Sequence, residues 1–228
     1  MQPIAEPDQA IGDRDDPRPS SHQRPDSTLR CTQAAARAPA RERILDAAEE
    51  FFYAQGIAAT GVDAVLQRAG ASPATLYAHF AGKDGLVSAY LERRHHRWRA
   101  AWDDVLADRH DPVERLLSVV DALALFRHRA GGTRGCAFLA AAAELPAPDH
   151  PAQAWIDADT ALLHHRLREI ATAAGLGDPE TLVAELVLIY DGTLAAYARA
   201  ATDPLPAARA LARRVVNQHL PSVPGASR

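Results

Sequence analysis

Side chains suited to contacting a nucleic acid are concentrated between residues 72 and 83. Three of them can donate hydrogen bonds to phosphate oxygens: Ser72, Tyr77 and His79. The ring of Tyr77 can also contact a thymine methyl group or a sugar. Ala74 and Thr75 offer methyl groups and one hydroxyl to base edges. The chemistry of this stretch is therefore recognition of a polyanion.

The local sequence places these side chains on a short helix that follows a tight turn. Gly70 tolerates the positive φ that ends a helix, Ser72 is a good N-cap, and Pro73 suits the first helical position. Leu76 and Phe80 lie four residues apart and share one face. Upstream, Thr60 is expected to cap a helix over 61–69. The pattern over residues 60–80 is typical of a helix-turn-helix, although an ordinary helix pair in a bundle has the same spacing.

The segment from about Arg41 to Arg94 resembles the DNA-binding domain of TetR-family regulators. The matching pieces, in order, are Ile44 to Ala48, Phe51 or Phe52, Gly56, Thr60, Ala69 to Ser72, Thr75 to Phe80, Lys83 and Leu86. The resemblance implies that Lys83, Tyr77 and His79 contact phosphates, with Thr60 and Ser72 as further contacts at helix N-termini. The alternatives are a solvated surface position for Lys83, the only lysine in the chain, and core packing for Tyr77.

Strong base-reading side chains are scarce in this motif. The predicted recognition helix, residues 73–80, contains no Arg, Lys, Asn or Gln, which are the usual donors to base edges. Arg68, just before the turn, is the best candidate for a guanine contact, with an intradomain ion pair as the alternative. Members of the family often carry a cation where Pro73 or Ala74 stands, so this departure concerns operator specificity.

Composition favours a helical protein and gives no sign of a disulfide or a metal site. The 228 residues carry a formal net charge of −4 and only 6% aromatic residues. Cys31 lies in a predicted tail, so a disulfide with Cys136 is not expected. The adjacent histidines of the pairs 95–96 and 164–165 point about 100° apart on a helix and cannot chelate one ion together. We expect no cofactor, no membrane-spanning run and a cytoplasmic location.

The predicted architecture is all-α, with about nine helices. We expect a disordered N-terminal tail at 1–39, a DNA-binding domain at 40–97, a helical bundle at 98–220 and a disordered C-terminus at 221–228. The fourth helix joins the two domains. The predicted helices are 40–55, 61–69, 73–80, 83–108, 112–130, 136–145, 152–175, 179–201 and 205–218. Arginines at positions 24, 30, 37, 41 and 43 form either an arm for the minor groove or part of a solvated tail.

The resemblance further implies a homodimer and a small-molecule effector. Candidate interface residues are Leu182, Leu186, Ile189, Leu194, Leu211 and Val215. Candidate ligand-binding residues are Trp102, Leu116, Val120, Leu123, Phe138, Trp155, His165 and Tyr190, each of which has core packing as its alternative. The expected function is a ligand-responsive transcriptional repressor that binds a pseudo-palindromic operator and releases it when an apolar or aromatic effector binds. The alternative is a helical small-molecule-binding protein or enzyme with a non-functional helix-turn-helix.

Overall fold

Nine α-helices make up the part of the chain that the structure, a computed structural model, describes: residues 38–130, 135–145, 147–199 and 202–220. They are α1 (Ala40–Gln55), α2 (Val62–Ala69), α3 (Pro73–Phe80), α4 (Lys83–Ala107), α5 (Pro112–Ala130), α6 (Ala137–Glu144), α7 (Gln153–Ala173), α8 (Pro179–Ala198) and α9 (Leu205–Gln218). The all-α prediction is confirmed. The predicted tail up to residue 37 lies outside the described residues, together with Cys31 and the arm residues Arg24, Arg30 and Arg37, as does 221–228.

Helix α4 runs through both hydrophobic cores of the molecule. The first core joins α1 to α3 with the beginning of α4, through residues such as Leu86 and Tyr90. The second core contains Trp98 and Trp102 from the later turns of α4, together with α5, α7, α8 and α9. The first core also includes Phe138 of α6 and Ile156 of α7. Along α4, the first core ends at Leu91 and the second begins at Trp98. Helix α6 follows this point in the sequence but packs against the first core.

Two arginines expected in an N-terminal arm belong to helix α1 instead. Arg41 lies with its guanidinium 5.3 Å from the centre of the Phe80 ring. Arg43 donates hydrogen bonds to the carbonyl oxygens of Ala38 at 2.8 Å and Ala69 at 3.0 Å. The arm prediction is wrong for these two residues, because both lie in α1, within the range 40–55 predicted for that helix.

Helix α9 is held against α5 by charge pairs. Glu114 of α5 accepts hydrogen bonds from Arg209 at 2.7 Å and Arg213 at 2.5 Å, and Asp121 accepts one from Arg209 at 2.8 Å. The two guanidinium groups lower the pKa of Glu114. These contacts fix the position of α9, which packs beside α8 at one side of the bundle.

Helix α8 corrects the expectation that no segment is long and apolar enough to span a membrane. Among the described residues it is the one helix that meets this test by length and composition. One side of α8 is buried in the bundle through Leu182, Leu186, Tyr190 and Leu194, whereas Leu188 on the other side is exposed. The helix therefore has apolar residues on two faces, and packing inside the bundle accounts for one of them.

Candidate nucleic-acid interface and effector cavity

The turn between α2 and α3 has the conformation that the sequence predicts. Gly70 is left-handed, with φ 59° and ψ 46°, and the N–H of Ala71 donates to the carbonyl oxygen of Leu66 at 3.1 Å. Ser72 caps α3 by accepting a hydrogen bond from the N–H of Thr75 at 3.2 Å. Leu76 and Phe80 are buried, so the opposite side of α3 faces outward.

An arginine clasp fixes this turn to helix α1. Besides its bond to Ala69, Arg43 donates to the carbonyl oxygen of Gly70 at 3.3 Å. These two carbonyls lie at the C-terminal end of α2, where a cation is favourable because of the free carbonyl groups. These hydrogen bonds fix the position of the turn relative to α1. The sequence did not predict this role, because the helical spacing of α1 does not distinguish Arg43 from a surface arginine.

A second close contact places α3 against the first turn of α4. Gly82 has φ 114°, and Gly85 lies so close to α3 that an added Cβ would be 1.7 Å from the carbonyl oxygen of Phe80. A Cβ at Gly82 would meet the ring of Tyr77 at 3.6 Å. Tyr77 therefore leans over the N-terminus of α4, which begins at Lys83. The ring of Tyr77 and the backbone of Lys83 therefore lie at the same edge of the motif.

Most of the predicted DNA-contacting residues are on the outer surface of the motif. Tyr77 is 68% exposed, which rules out core packing as its role. Ser72, Ala74 and His79 are exposed, whereas Thr75 and Lys83 are half-buried. The Thr75 hydroxyl lies 2.9 Å from the Ser72 hydroxyl. These residues form one continuous surface along α3 and the beginning of α4.

Thr60 does not belong to this surface. Its side chain is 2% exposed, and its hydroxyl donates to the carbonyl oxygen of Gly56 at 2.7 Å. Gly61, rather than Thr60, is the N-cap of α2. The expectation of a capping threonine is wrong because the hydroxyl closes the loop after α1 instead of reaching forward to α2.

Arg68 is exposed on α2 and is paired with Glu50 of α1 at 3.0 Å. Both side chains are more than half exposed. Such a surface ion pair contributes about 0.2–1 kcal/mol and is easily exchanged for another anion. The ion pair and a DNA contact are therefore compatible.

Comparisons with known proteins identify the family to which this arrangement of helices belongs. Residues 44–90 match the family model described as bacterial regulatory proteins, tetR family. A crystal structure of a TetR-family transcriptional regulator from Streptomyces coelicolor is 32% identical, with a TM-score of 0.72, over 79% of this chain and 95% of that one. The chain belongs to the TetR family. The regulator is accordingly a DNA-binding transcription factor, and its relatives are regulators, not enzymes.

Other relatives support the same assignment. A TetR-type regulator from Streptomyces avermitilis is 30% identical, with a TM-score of 0.65, over 78% of this chain and 99% of that one. An uncharacterised HTH-type transcriptional regulator of Mycobacterium tuberculosis is 38% identical over 39% of this chain and 44% of its own length. The regulator UidR of Escherichia coli is 32% identical over 42% of this chain and 47% of its own length. The match thus spans less than half the length of these curated relatives.

Inside the helical bundle, a cavity of about 30 Å³ brings together three of the predicted ligand-binding residues: Leu123, Phe138 and Tyr190. Trp98 and Phe126 add aromatic walls. An adjoining cavity of about 360 Å³ shares Cys136 and Leu194 with the first one and extends toward the end of α1. The combined space is mostly apolar and lies where α4, α5, α6 and α8 meet.

The other predicted ligand-binding residues do not line this space. Trp102, Leu116 and Val120 are fully packed in the second core, where the Trp102 indole N–H donates to the Ser118 hydroxyl at 2.8 Å. Trp155 packs against the rings of His95 and His96. His165 is on the outer surface of α7, with its side chain 71% exposed and 3.2 Å from Glu169. For His165 the prediction is wrong, because its position falls on the polar face of that helix.

The two buried charged residues of the cavity, Arg94 and Asp159, are missing from the sequence-based set. Both positions carry a periodic signal. Arg94 lies midway in the i, i+4 series Tyr90, Arg94, Trp98, and Asp159 falls between Ile156 and Leu163 on the buried stripe of α7. A charged residue inside an apolar stripe is costly unless it has a partner or a function. This signal was available from helical spacing alone.

Cys136 also lines the cavity, but its environment does not favour a reactive thiolate. Burial raises the pKa of its thiol to about 11. Thiolate chemistry needs a lowered pKa and access to solvent. A redox-sensing role for Cys136 is therefore unsupported.

Replacing Asp159 by Asn is expected to stabilise the protein at neutral pH. Burial raises the pKa of Asp159, and the nearby His95 and Arg94 lower it only in part. The folded state then binds a proton more readily than the unfolded state, so stability is lost as pH rises from the unfolded pKa through the folded one. Asp159→Asn removes that loss. Urea unfolding of both proteins at pH 4.5 and 7.5 should show a larger advantage for the variant at pH 7.5; an equal or reversed difference would contradict this account.

Proposed function

We propose that the regulator is a ligand-responsive repressor that binds a pseudo-palindromic operator as a homodimer. It releases the operator when a small, apolar or aromatic effector occupies the bundle cavity. The observation that carries the proposal is the exposed face of α3, with Tyr77 over the N-terminus of α4 and Lys83 beside it. In keeping with its function on DNA, we place the regulator in the cytoplasm.

The effector is proposed to be small, largely apolar and aromatic, because the cavity that receives it has those walls. Leu123, Phe138 and Tyr190 line this space, and Trp98 and Phe126 close it. An apolar cavity with a few polar groups is the usual form of a small-molecule site, and the adjoining cavity of about 360 Å³ supplies the volume. Because α4 packs in both cores, occupation of the cavity changes the surroundings of the helix whose first residue is Lys83.

DNA contact is proposed for the exposed surface of the motif. Tyr77, His79, Lys83 and Ser72 contact phosphates and sugars, and this positions the protein on the duplex. Ala74 and Thr75 meet base edges, and Arg68 exchanges Glu50 for a guanine or a phosphate. Thr60 is left out of this set because its side chain is buried. Residues 40–97 thus form the DNA-binding domain, and residues 98–220 bind the effector and the second subunit.

Dimerisation is proposed through α8 and α9, because one short helix reads too few base pairs by itself. Leu188 is 71% exposed, and Leu211 of α9 is also exposed on the same open groove. Gly192 and Ala207 line this groove and permit close approach of a second helix pair. Ile189 and Val215 are half-buried, and we place them at the edge of the interface. Leu182, Leu186 and Leu194 face the core of their own subunit, so their assignment to the interface is wrong.

Selection from genomic DNA tests the proposal. The purified full-length chain is incubated with fragmented DNA from its source organism, and the retained fragments are sequenced. We expect enrichment of a shared pseudo-palindrome with half-sites about one helical turn apart or a multiple of it. If no site is enriched over a range of salt concentrations, either before or after unfolding and refolding to remove a bound effector, the proposal is overturned.

A further inference from the structure

Among the described residues, the buried guanidinium of Arg94 shares its one carboxylate partner, Glu49, with two other arginines. Its side chain is 7% exposed, and it donates one long hydrogen bond of 3.4 Å to Glu49 among the described residues. Glu49 already accepts closer bonds from Arg93 at 2.5 Å and Arg97 at 2.9 Å. A buried charge is normally paired. Arg94 is therefore a cation whose charge is only partly compensated.

Aromatic rings surround the same guanidinium. The Arg94 carbon Cζ lies 4.7 Å from the ring centre of Tyr53, 5.3 Å from that of Phe126 and 5.9 Å from that of Tyr90. These contacts hold the cation at the wall of the cavity. Contacts with ring faces do not use the N–H donors at the edge of the guanidinium. A guanidinium can bind a carboxylate through two parallel hydrogen bonds from that edge.

Asp159 provides a second polar group in the same cavity. Its Oδ1 atom is buried and lies 3.5 Å from Nδ1 of His95, and neither atom has a closer hydrogen-bond partner among the described residues. No ion pair between Asp159 and Arg94 is present among the described residues. The cavity therefore contains an acceptor for a hydrogen-bond donor at a place distinct from its cation.

We propose that the effector is an aromatic acid whose carboxylate pairs with Arg94 and whose ring extends from the small cavity, beside Phe126 and Tyr190, into the adjoining cavity of about 360 Å³. A hydroxyl group on the ring donates to Asp159. This inference rests on the effector-binding part of the proposed function. A cationic effector is disfavoured because the buried cation Arg94 lines the cavity.

Pairing with the effector would also alter a contact between helices. The carboxylate competes with Glu49 of α1 for Arg94 of α4. Arg93 and Arg97 remain on Glu49, so α1 keeps its attachment to α4 while the position of the intervening cation changes. The charge of the effector is thus sensed at the helix that leads to the DNA-binding surface.

Binding of matched acids and esters to the full-length regulator tests this inference. The probes are 4-hydroxybenzoate, 4-hydroxyphenylacetate and 6-hydroxy-2-naphthoate, each beside its methyl ester and its analogue without the hydroxyl group. Isothermal titration calorimetry measures binding directly, without DNA. We expect at least one acid to bind at least tenfold more tightly than its ester. Equal binding of acid and ester, or no binding by any of the three acids, would overturn the inference.

Variants assign the effect to the two residues. Arg94→Met should reduce binding of the acid to the level of its ester, whereas Arg94→Lys should retain part of the preference. Arg97→Met is the matched control, because Arg97 also bonds to Glu49 but does not line the cavity. Asp159→Ala should remove the advantage of the hydroxylated acid over the unsubstituted one, because alanine has no side-chain acceptor. An unchanged acid preference in folded Arg94→Met would also overturn the inference.

Operator binding is measured separately, by fluorescence anisotropy of labelled DNA. A regulator that binds its operator but none of the acids refutes the inference and leaves the proposed function standing. A regulator that binds an acid but no operator refutes the proposed function and supports the effector class.

Discussion

Tyr77→Ala and Lys83→Ala should each lower the affinity for the operator by roughly 30- to 150-fold while leaving the fold intact. Each change removes a contact worth about 1–1.5 kcal/mol, and a two-fold dimer loses it twice, giving about 2–3 kcal/mol. Tyr77 is largely exposed, so its removal leaves no cavity in the core. Lys83→Ala should in addition reduce the dependence of affinity on salt by about one counterion per subunit.

Fluorescence anisotropy at several salt concentrations measures both effects, and circular dichroism checks the fold. Arg99→Ala is a matched control, because Arg99 is an exposed cation on α4 with a weak pairing to Asp103 at 3.9 Å. This control should bind nearly as tightly as the unchanged protein. Retention of full affinity by both Tyr77→Ala and Lys83→Ala would show that DNA contacts another surface.

Leu188→Glu should convert the dimer into monomers and abolish stable operator binding. The substitution places two carboxylates near each other at the proposed two-fold axis, in a surface that is apolar on both subunits. Burying unpaired charges at an interface costs several kcal/mol, and about 4 kcal/mol corresponds to roughly a thousandfold weaker dimer. The variant should remain folded, because Leu188 is exposed in the single subunit.

Sedimentation velocity over a range of protein concentrations measures this change. Leu139→Glu is the control, because Leu139 is exposed on α6 and lies away from the groove between α8 and α9. It should leave the oligomeric state unchanged. A Leu188→Glu variant that sediments as the same dimer would place the interface elsewhere.

Local signals predicted the elements of the fold, because glycine turns, caps and apolar spacing are properties of neighbouring residues. The bounds of α1 and α3 agree with prediction. Gly56 marks the end of α1, and Ser72 and Pro73 mark the start of α3. Thr60 was misplaced because its hydroxyl can close the preceding loop as well as cap the next helix. Only the three-dimensional path of the loop decides between these bonds.

Predictions of the surfaces were less accurate, because an apolar stripe does not reveal what it packs against. Helix α8 has apolar residues on two faces, and spacing alone assigned Leu182 and Leu186 to the wrong one. The cavity presents the same difficulty. Leu123 lines it while Leu116, two turns earlier on the same face, is fully packed. Which stripe residues border a cavity depends on how the helices are spaced, and this is a property of the whole bundle.

Because α4 packs in both cores, a small rotation at one end of this helix displaces its other end. It has 25 residues, and the segment from Trp98 to Lys83 is about 22 Å long at 1.5 Å per residue. A rotation of about 5° at Trp98 therefore displaces Lys83 by about 2 Å, which is enough to break a hydrogen bond to a phosphate. In a dimer both copies of α4 move, and the spacing between the two DNA-binding motifs changes by up to twice the shift of one. Substitutions in the middle of α4, away from DNA and effector, should consequently change how strongly effector binding lowers the affinity for the operator.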